Sequence, residues 1–286
     1  MKSRYLVTLL WLVWAATAQA KPPMWIIRDA NSEMVLFGSI HVLQPGLDWR
    51  PAGLDAAFAS ADDVWFEIPI DQAKDSQIAN LAAAKGLLSG TQSLFSLLSE
   101  DGKVRLTRAC AKYGLAPGLV DRLQPWYAEV ALASAAFSAS GADAASGVEK
   151  LLSEQVPKRA DRRAFETAEQ QIELFHGASP EAQLASLEVS LQELERDPHG
   201  YDRLVAAWMD SDVTAMDHDA LDPLRLGAQE IYRRLVTERN SAWLTTLKTR
   251  LNGQGRTVVV VGVGHLIGPD GLPAQFRALG YAVEGP

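Results

Sequence analysis

Two histidines follow the same frame near opposite ends of this chain. Gly38-Ser39-Ile40-His41 comes directly after the apolar run Val35-Leu36-Phe37, and Gly262-Val263-Gly264-His265 directly after Val258-Val259-Val260-Val261. Each G-x-x-H thus stands at the exit of a predicted buried strand. Imidazole can ligate a borderline metal or exchange protons near neutral pH. A glycine three residues earlier lets the backbone turn and come close to a ligand. One histidine at a strand end is an ordinary satisfied polar residue. The repeated frame takes in two of only five histidines and argues for one shared site.

Glu67 is the third candidate. It falls in Val64-Trp65-Phe66-Glu67-Ile68, read as a strand, where a carboxylate is costly unless paired or metal-bound. The competing placement is an edge strand whose alternation points Glu67 to solvent. Two histidines and a carboxylate can hold a divalent metal ion and leave a position for water, which is a hydrolytic set. The residues do not specify which metal. Arg239, in Glu238-Arg239-Asn240 ahead of Trp243 and Leu244, sits on a helix with one buried side. There it could steady a carboxylate or a developing oxyanion.

Other polar residues read as structural. His176, His199 and His218 lie among charged or turn residues and are expected at the surface. Asp210, Asp212, Asp217, Asp219 and Asp222 lack the spacing and glycine of a calcium loop and read as a solvated face. The single cysteine, Cys110, lies in a helical context and reads as a small buried hydrophobe. There is no G-x-S-x-G elbow, no H-E-x-x-H and no Walker loop, and Gly262-Val263-Gly264 lacks the third glycine of a dinucleotide loop.

These residues need elements to hold them. Met24 to Arg28 and Glu33 to Phe37 read as a hairpin around the turn residues Asp29 to Ser32. A helix is expected from Pro51 to Ser60, and strands at 64–68 and Thr257 to Val261. Leu272 to Leu279 reads as a short helix and Tyr281 to Glu284 as a final edge strand. Between roughly 71 and 251, apolar positions recur every three and four residues, and several helices are expected. They include Tyr127 to Ser138 and Ala182 to Glu195, with one possible short strand at Arg163 to Glu166. Gly141 to Ser146 reads as a small-residue linker. The expected fold class is α/β: a mixed central sheet built from strands at both ends of the chain, carrying a large helical insertion in a single domain over 21–286.

The chain has 286 residues, 48% of them hydrophobic, enough for a full core. Met1-Lys2-Ser3-Arg4, an apolar stretch from Tyr5 to Ala16 and Ala18-Gln19-Ala20 read as a signal peptide over 1–20. Lys21 is then the expected mature start, and the location periplasmic or secreted. An uncleaved anchor is the rival, but the stretch is short for a span, and no later run is long enough to cross a bilayer. The formal charge of −8 becomes −10 once Lys2 and Arg4 are removed. That balance argues against nucleic acid as a partner. An exported protein with one cysteine has no internal disulfide and depends on its core. Nothing in the sequence gives an oligomeric state.

Taken together these blocks resemble the TraB/GumN family, grouped with the Tiki proteases. The matching residues are Leu36-Phe37-Gly38-Ser39-Ile40-His41-Val42-Leu43, the Glu of Trp65-Phe66-Glu67, Glu166-Thr167-Ala168-Glu169-Gln170-Gln171, Glu238-Arg239-Asn240-Ser241-Ala242-Trp243, and Val261-Gly262-Val263-Gly264-His265-Leu266-Ile267-Gly268 with Gly280-Tyr281 behind it. The resemblance covers nearly all of the mature chain, in order. It implies a fold like that of erythromycin esterase and of a haem-binding lipoprotein group. It also implies metal-dependent hydrolysis of a peptide or small-molecule substrate, with His41, Glu67 and His265 as the site and Arg239 as a polar helper. Two residues depart from the family pattern: Phe165, where Leu is usual, and Glu149, where Asp is common. Both are expected to fall outside the site. The alternative function is non-catalytic: a periplasmic haem- or metal-binding or interaction protein.

Overall fold

The computed structural model describes residues 22–70 and 72–286, without the side chains of 72–76. The signal-peptide reading of residues 1–20 lies outside the described residues. Six strands form one mixed sheet: β1 (Met24–Arg28), β2 (Ser32–Ser39), β3 (Asp63–Phe66), β4 (Asp161–Ala164), β5 (Gly255–Gly262) and β6 (Val283–Glu284), in the order β4-β3-β5-β2-β1-β6. β1 and β2 make the expected hairpin, with Trp25 opposite Leu36. β4, β3, β5 and β2 run parallel. The fold is the α/β class read from the sequence.

β5 lies at the centre of the sheet. Its run Val258, Val259, Val260, Val261 is buried without a break, as a parallel strand covered on both faces requires. It joins β2 to β3, with Gly38 opposite Val261, Ser39 opposite Gly262 and Phe66 opposite Val260. At the amino ends of these strands, buried Asp63 accepts from Thr257 Oγ1 at 2.6 Å and from Arg250 Nε at 2.7 Å. That network fixes the β3–β5 register with a satisfied carboxylate.

The strand boundaries correct two expectations. β3 stops at Phe66, so Glu67 lies just beyond the strand. Nor is β3 an edge: β4 pairs with its outer side, Trp65 opposite Arg163, and excludes the solvent-facing placement of Glu67. β4 itself ends at Ala164, two residues before Glu166.

Helices Glu100–Tyr113, Pro125–Ala139 and Pro180–Arg196 build a second apolar cluster around Leu106, Leu132 and Leu187. Cys110 is fully buried within it, as expected of a small hydrophobe. The segment 141–146 is more than a linker. Asp143 pairs with Leu43, donating its N–H at 2.8 Å and accepting at 3.3 Å. Small residues allow that approach. A Cβ on Gly147 would lie 2.1 Å from the carbonyl oxygen of His41.

Candidate active site

Four parallel strands each release one polar side chain beyond their carboxyl ends, where α/β sheets bind ligands. β2 leads to His41, β3 to Glu67, β4 to Glu166 and β5 to His265. The helix Glu238–Leu251 supplies the cation. Its buried face is Arg239, Asn240, Trp243, Leu247 and Leu251, at helical spacing, and this face carries Arg239 over the strand ends.

The two G-x-x-H loops interlock through their first glycines. A Cβ on Gly38 would lie 2.9 Å from Val263 Cγ2, in the other loop. A Cβ on Gly262 would lie 3.1 Å from Glu67 Oε1 and 3.2 Å from His41 Nε2. Each bare backbone makes room for the other motif, so the repeated glycine is explained by close approach. His41 and Glu67 converge over Gly262, whose N–H donates to Glu67 Oε1 at 2.7 Å.

Arg239 is the hub. Its exposure is 8%, beside Glu67 at 7% and His265 at 6%. Nη2 donates to Glu67 Oε2 at 2.6 Å and to Glu166 Oε2 at 3.0 Å, and Nε to Glu166 Oε1 at 2.8 Å. Nη1 donates to the Leu235 carbonyl at 3.1 Å and to His265 Nε2 at 2.8 Å. All five guanidinium N–H groups are thereby engaged. An oxyanion could reach Arg239 only by displacing one of these partners.

The protonation of His265 follows from its neighbours. Asn240 Nδ2 donates to the carbonyls of His265 and Asp270, at 3.1 and 2.8 Å, so its Oδ1 faces His265 Nδ1 at 2.7 Å as an acceptor. Nδ1 therefore carries the proton, and Nε2 keeps a lone pair for Arg239. Burial lowers the His265 pKa to about 3, and Arg239 and His41 add to the fall against the pull of Glu67. The ring packs on Trp243 at 4.4 Å, and Trp243 stacks on Phe165 at 4.7 Å and donates to Glu166 at 3.0 Å.

His41 differs. Its side chain is 63% exposed, and Nδ1 lies 2.7 Å from Glu149 Oε1. Glu149 also accepts from Ser39 Oγ. The Glu149 carboxylate pushes the His41 pKa up to about 9, with a smaller contribution from Glu67. Glu67 also accepts from Gln171 Nε2 at 3.0 Å. Burial pushes its carboxyl up, but Arg239, His41 and the Gly262 N–H outweigh that and hold it well below the usual carboxylate range.

All four sequence candidates meet at this place, His265 Nε2 standing 3.8 Å from Glu67 Oε1. The group that could hold a metal ion among the described residues is a different one. His41, Glu67 and Glu149 each offer a ligand atom, all within 4.8 Å of one another. His265 Nε2 faces Arg239 instead. Glu149 and Phe165, expected outside the site, belong to it: one holds His41, and the other backs Trp243. Glu166 and Asn240 were also missed as site residues. A signal existed for Glu166, since Phe-Glu recurs at 66–67 and 165–166 and the Glu166 N–H donates to the Glu67 carbonyl at 2.9 Å. His176 is half-buried rather than the surface residue expected: its ring meets Trp126 edge-on and its Nδ1 is buried without a partner among the described residues. His199 and His218 are exposed as read.

The fold and site define an α/β protein with a histidine–glutamate–arginine cluster at the carboxyl ends of its parallel strands. The TraB/PrgY/gumN family model matches residues 23–285, and the chain belongs to that family. The chain is 26% identical to the uncharacterised protein YbaP of Escherichia coli K12 over 274 residues, 96% of this chain and 98% of the relative. YbaP of Shigella flexneri matches at the same identity and coverage. No solved structure matches the chain. Among the described residues, no helix is long and apolar enough to cross a membrane.

Proposed function

We propose that the protein is an exported metal-dependent hydrolase, with peptides as its substrate class. The observation that carries this reading is the convergence of His41 Nε2 and Glu67 Oε1 over the bare backbone of Gly262, with Glu149 close by. The donors fit a divalent cation: the His41 imidazole and the Glu67 carboxylate would hold it, with Glu149 orienting the imidazole. The charge fits too, since among the described residues Glu67, Glu149 and Glu166 outnumber the cations Arg239 and His41 that pair with them. A divalent ion held there would supply a Lewis acid, acidifying water and polarising a carbonyl oxygen.

In this reading Glu149 holds the proton at His41 Nδ1, and a metal ion would take the place of the proton on Nε2, the usual carboxylate–histidine arrangement beside a metal. Glu67 stays ionised because Arg239 and the Gly262 N–H stabilise its charge. Arg239 and His265 act as positioning residues. Glu166, Leu235 and His265 fix the guanidinium, and the guanidinium fixes Glu67. His265 becomes a ligand only by giving up Arg239 as its partner. His41, the exposed member, is where substrate meets the cluster. The resemblance to the Tiki proteases supports peptides as the substrate class, and the basic start, apolar stretch and Ala18-Gln19-Ala20 support export.

Metal analysis of the purified mature protein tests the reading, together with cleavage of a mixed peptide library with and without chelator. The expected result is one tightly held divalent ion, lost in Glu67→Gln, and chelator-sensitive cleavage lost in His41→Ala. Chelator-resistant cleavage by a metal-free protein overturns it. A retained ion without any cleavage identifies the non-catalytic metal-binding alternative.

A further inference from the structure

A second cavity, of about 590 Å³, lies among the helices Pro125–Ala139, Pro180–Arg196 and Gly200–Met209, lined by none of the active-site residues. Its size suits a small organic ligand. Its walls are largely apolar and aromatic, with Tyr113, Phe137, Leu194, Tyr201, Leu204 and Leu224 among them. Glu129 is a half-buried carboxylate in this lining. Both Ser186 Oγ, at 3.0 Å, and Ser190 Oγ, at 2.5 Å, donate to its Oε1. Its Oε2 takes no hydrogen bond among the described residues, yet Glu129 faces the cavity. Burial pushes this carboxyl upward in pKa, and only the two serines oppose it.

The other lining carboxylates are already partnered. Glu193 pairs with Arg196, Asp197 and Asp219 with Arg203, and Asp202 with His199. With Glu129 they make five carboxylates against the cations Lys112, Arg196 and Arg203, so the lining is net negative. Of these five, Glu129 alone has no basic partner among the described residues. A half-buried carboxylate oxygen that faces an apolar cavity without a cation beside it favours a ligand ammonium there. The apolar walls would take the rest of the molecule.

We propose that this cavity binds an amphipathic amine, a primary ammonium on an alkyl or aryl body, with the ammonium on Glu129 Oε2. The proposal is independent of the metal site and of hydrolysis.

Calorimetric titration of the mature protein with n-octylamine, 1-octanol and octanoate, each below its micelle concentration, tests it. Octylamine is expected to bind at a single site, and the other two at least about tenfold more weakly, a difference of about 1.4 kcal/mol. Glu129→Gln, which keeps the side-chain shape, is expected to weaken octylamine at least about tenfold and leave octanol unchanged. Ala133→Phe, which fills the cavity, is expected to abolish binding, with melting temperature and circular dichroism checking that the variant folds. No octylamine binding by folded wild type overturns the proposal. So do octanol binding as tightly as the amine, undiminished affinity in Glu129→Gln, and full binding in folded Ala133→Phe.

Discussion

His41 Nδ1 lies 2.7 Å from Glu149 Oε1, and this pair joins the exit of β2 to a helix that begins beyond the 141–146 segment. The contact decides how the exposed histidine is oriented and charged. It also links the site to pH. A histidine whose folded pKa is raised from 6.5 to about 9 contributes stability that is complete below pH 6.5 and is lost as the pH rises through 9. In Glu149→Gln that loss should disappear, and the His41 ring should titrate well below 9. NMR titration of the His41 ring protons in wild type and variant measures both; an unchanged His41 pKa in Glu149→Gln contradicts the assignment.

His265 should give the opposite dependence. Its folded pKa is lowered from 6.5 to about 3, so the unfolded chain takes up a proton that the native state refuses. Stability is complete above pH 6.5 and falls as the pH drops toward 3, by at most about 1.4 kcal/mol per unit from this one group. His265→Gln should be less stable at pH 7 and should show a shallower fall between pH 6.5 and 4. Urea unfolding at several pH values checks this, and parallel curves for the two proteins would be inconsistent with a neutral His265.

Removing the guanidinium should be the most damaging single change. Arg239→Met leaves buried Glu67 and half-buried Glu166 without their cation, which costs about 3–5 kcal/mol where a buried pair is broken. Arg239→Lys keeps the charge but not the fork that serves Glu67, Glu166, His265 and Leu235 together, so only part of the loss should be recovered. Melting temperatures of the two variants rank them. An Arg239→Met protein as stable as wild type would refute the hub role.

The interlocked loops make a paired prediction. Gly38→Ala should cost about 1–3 kcal/mol, because the new Cβ meets Val263 Cγ2 at 2.9 Å. Adding Val263→Ala removes that atom and should recover most of the loss. A double-mutant cycle by chemical denaturation reads the coupling, and strictly additive effects would show that the two loops do not touch.

Much of this was legible in the residues. The valine run of β5 announced a strand covered on both faces, and the doubled G-x-x-H placed two histidines beyond parallel strands. Glu67 drew notice because a carboxylate inside an apolar run needs a partner. What stayed hidden depends on approach across the fold. Glu149 sits on a short helix whose contact with His41 requires Gly147 to lie against the His41 backbone, and no local pattern reports that. The sharing of Arg239 by Glu67 and Glu166 depends on β4 pairing beside β3, a contact nearly one hundred residues apart in sequence. His265 looked like a ligand by symmetry with His41, but Asn240 and Arg239 give it a different task.

The position of β5 has a consequence for the order of events during synthesis. β2 and β3 have no direct pairing and meet only through β5, which comes from residues 255–262. Until the ribosome has delivered that segment, the earlier strands lack their common neighbour. Glu67 then also lacks the Gly262 N–H, and Arg239 lacks His265. Truncation before residue 255 should yield a chain without the site, rather than one with a weakened site.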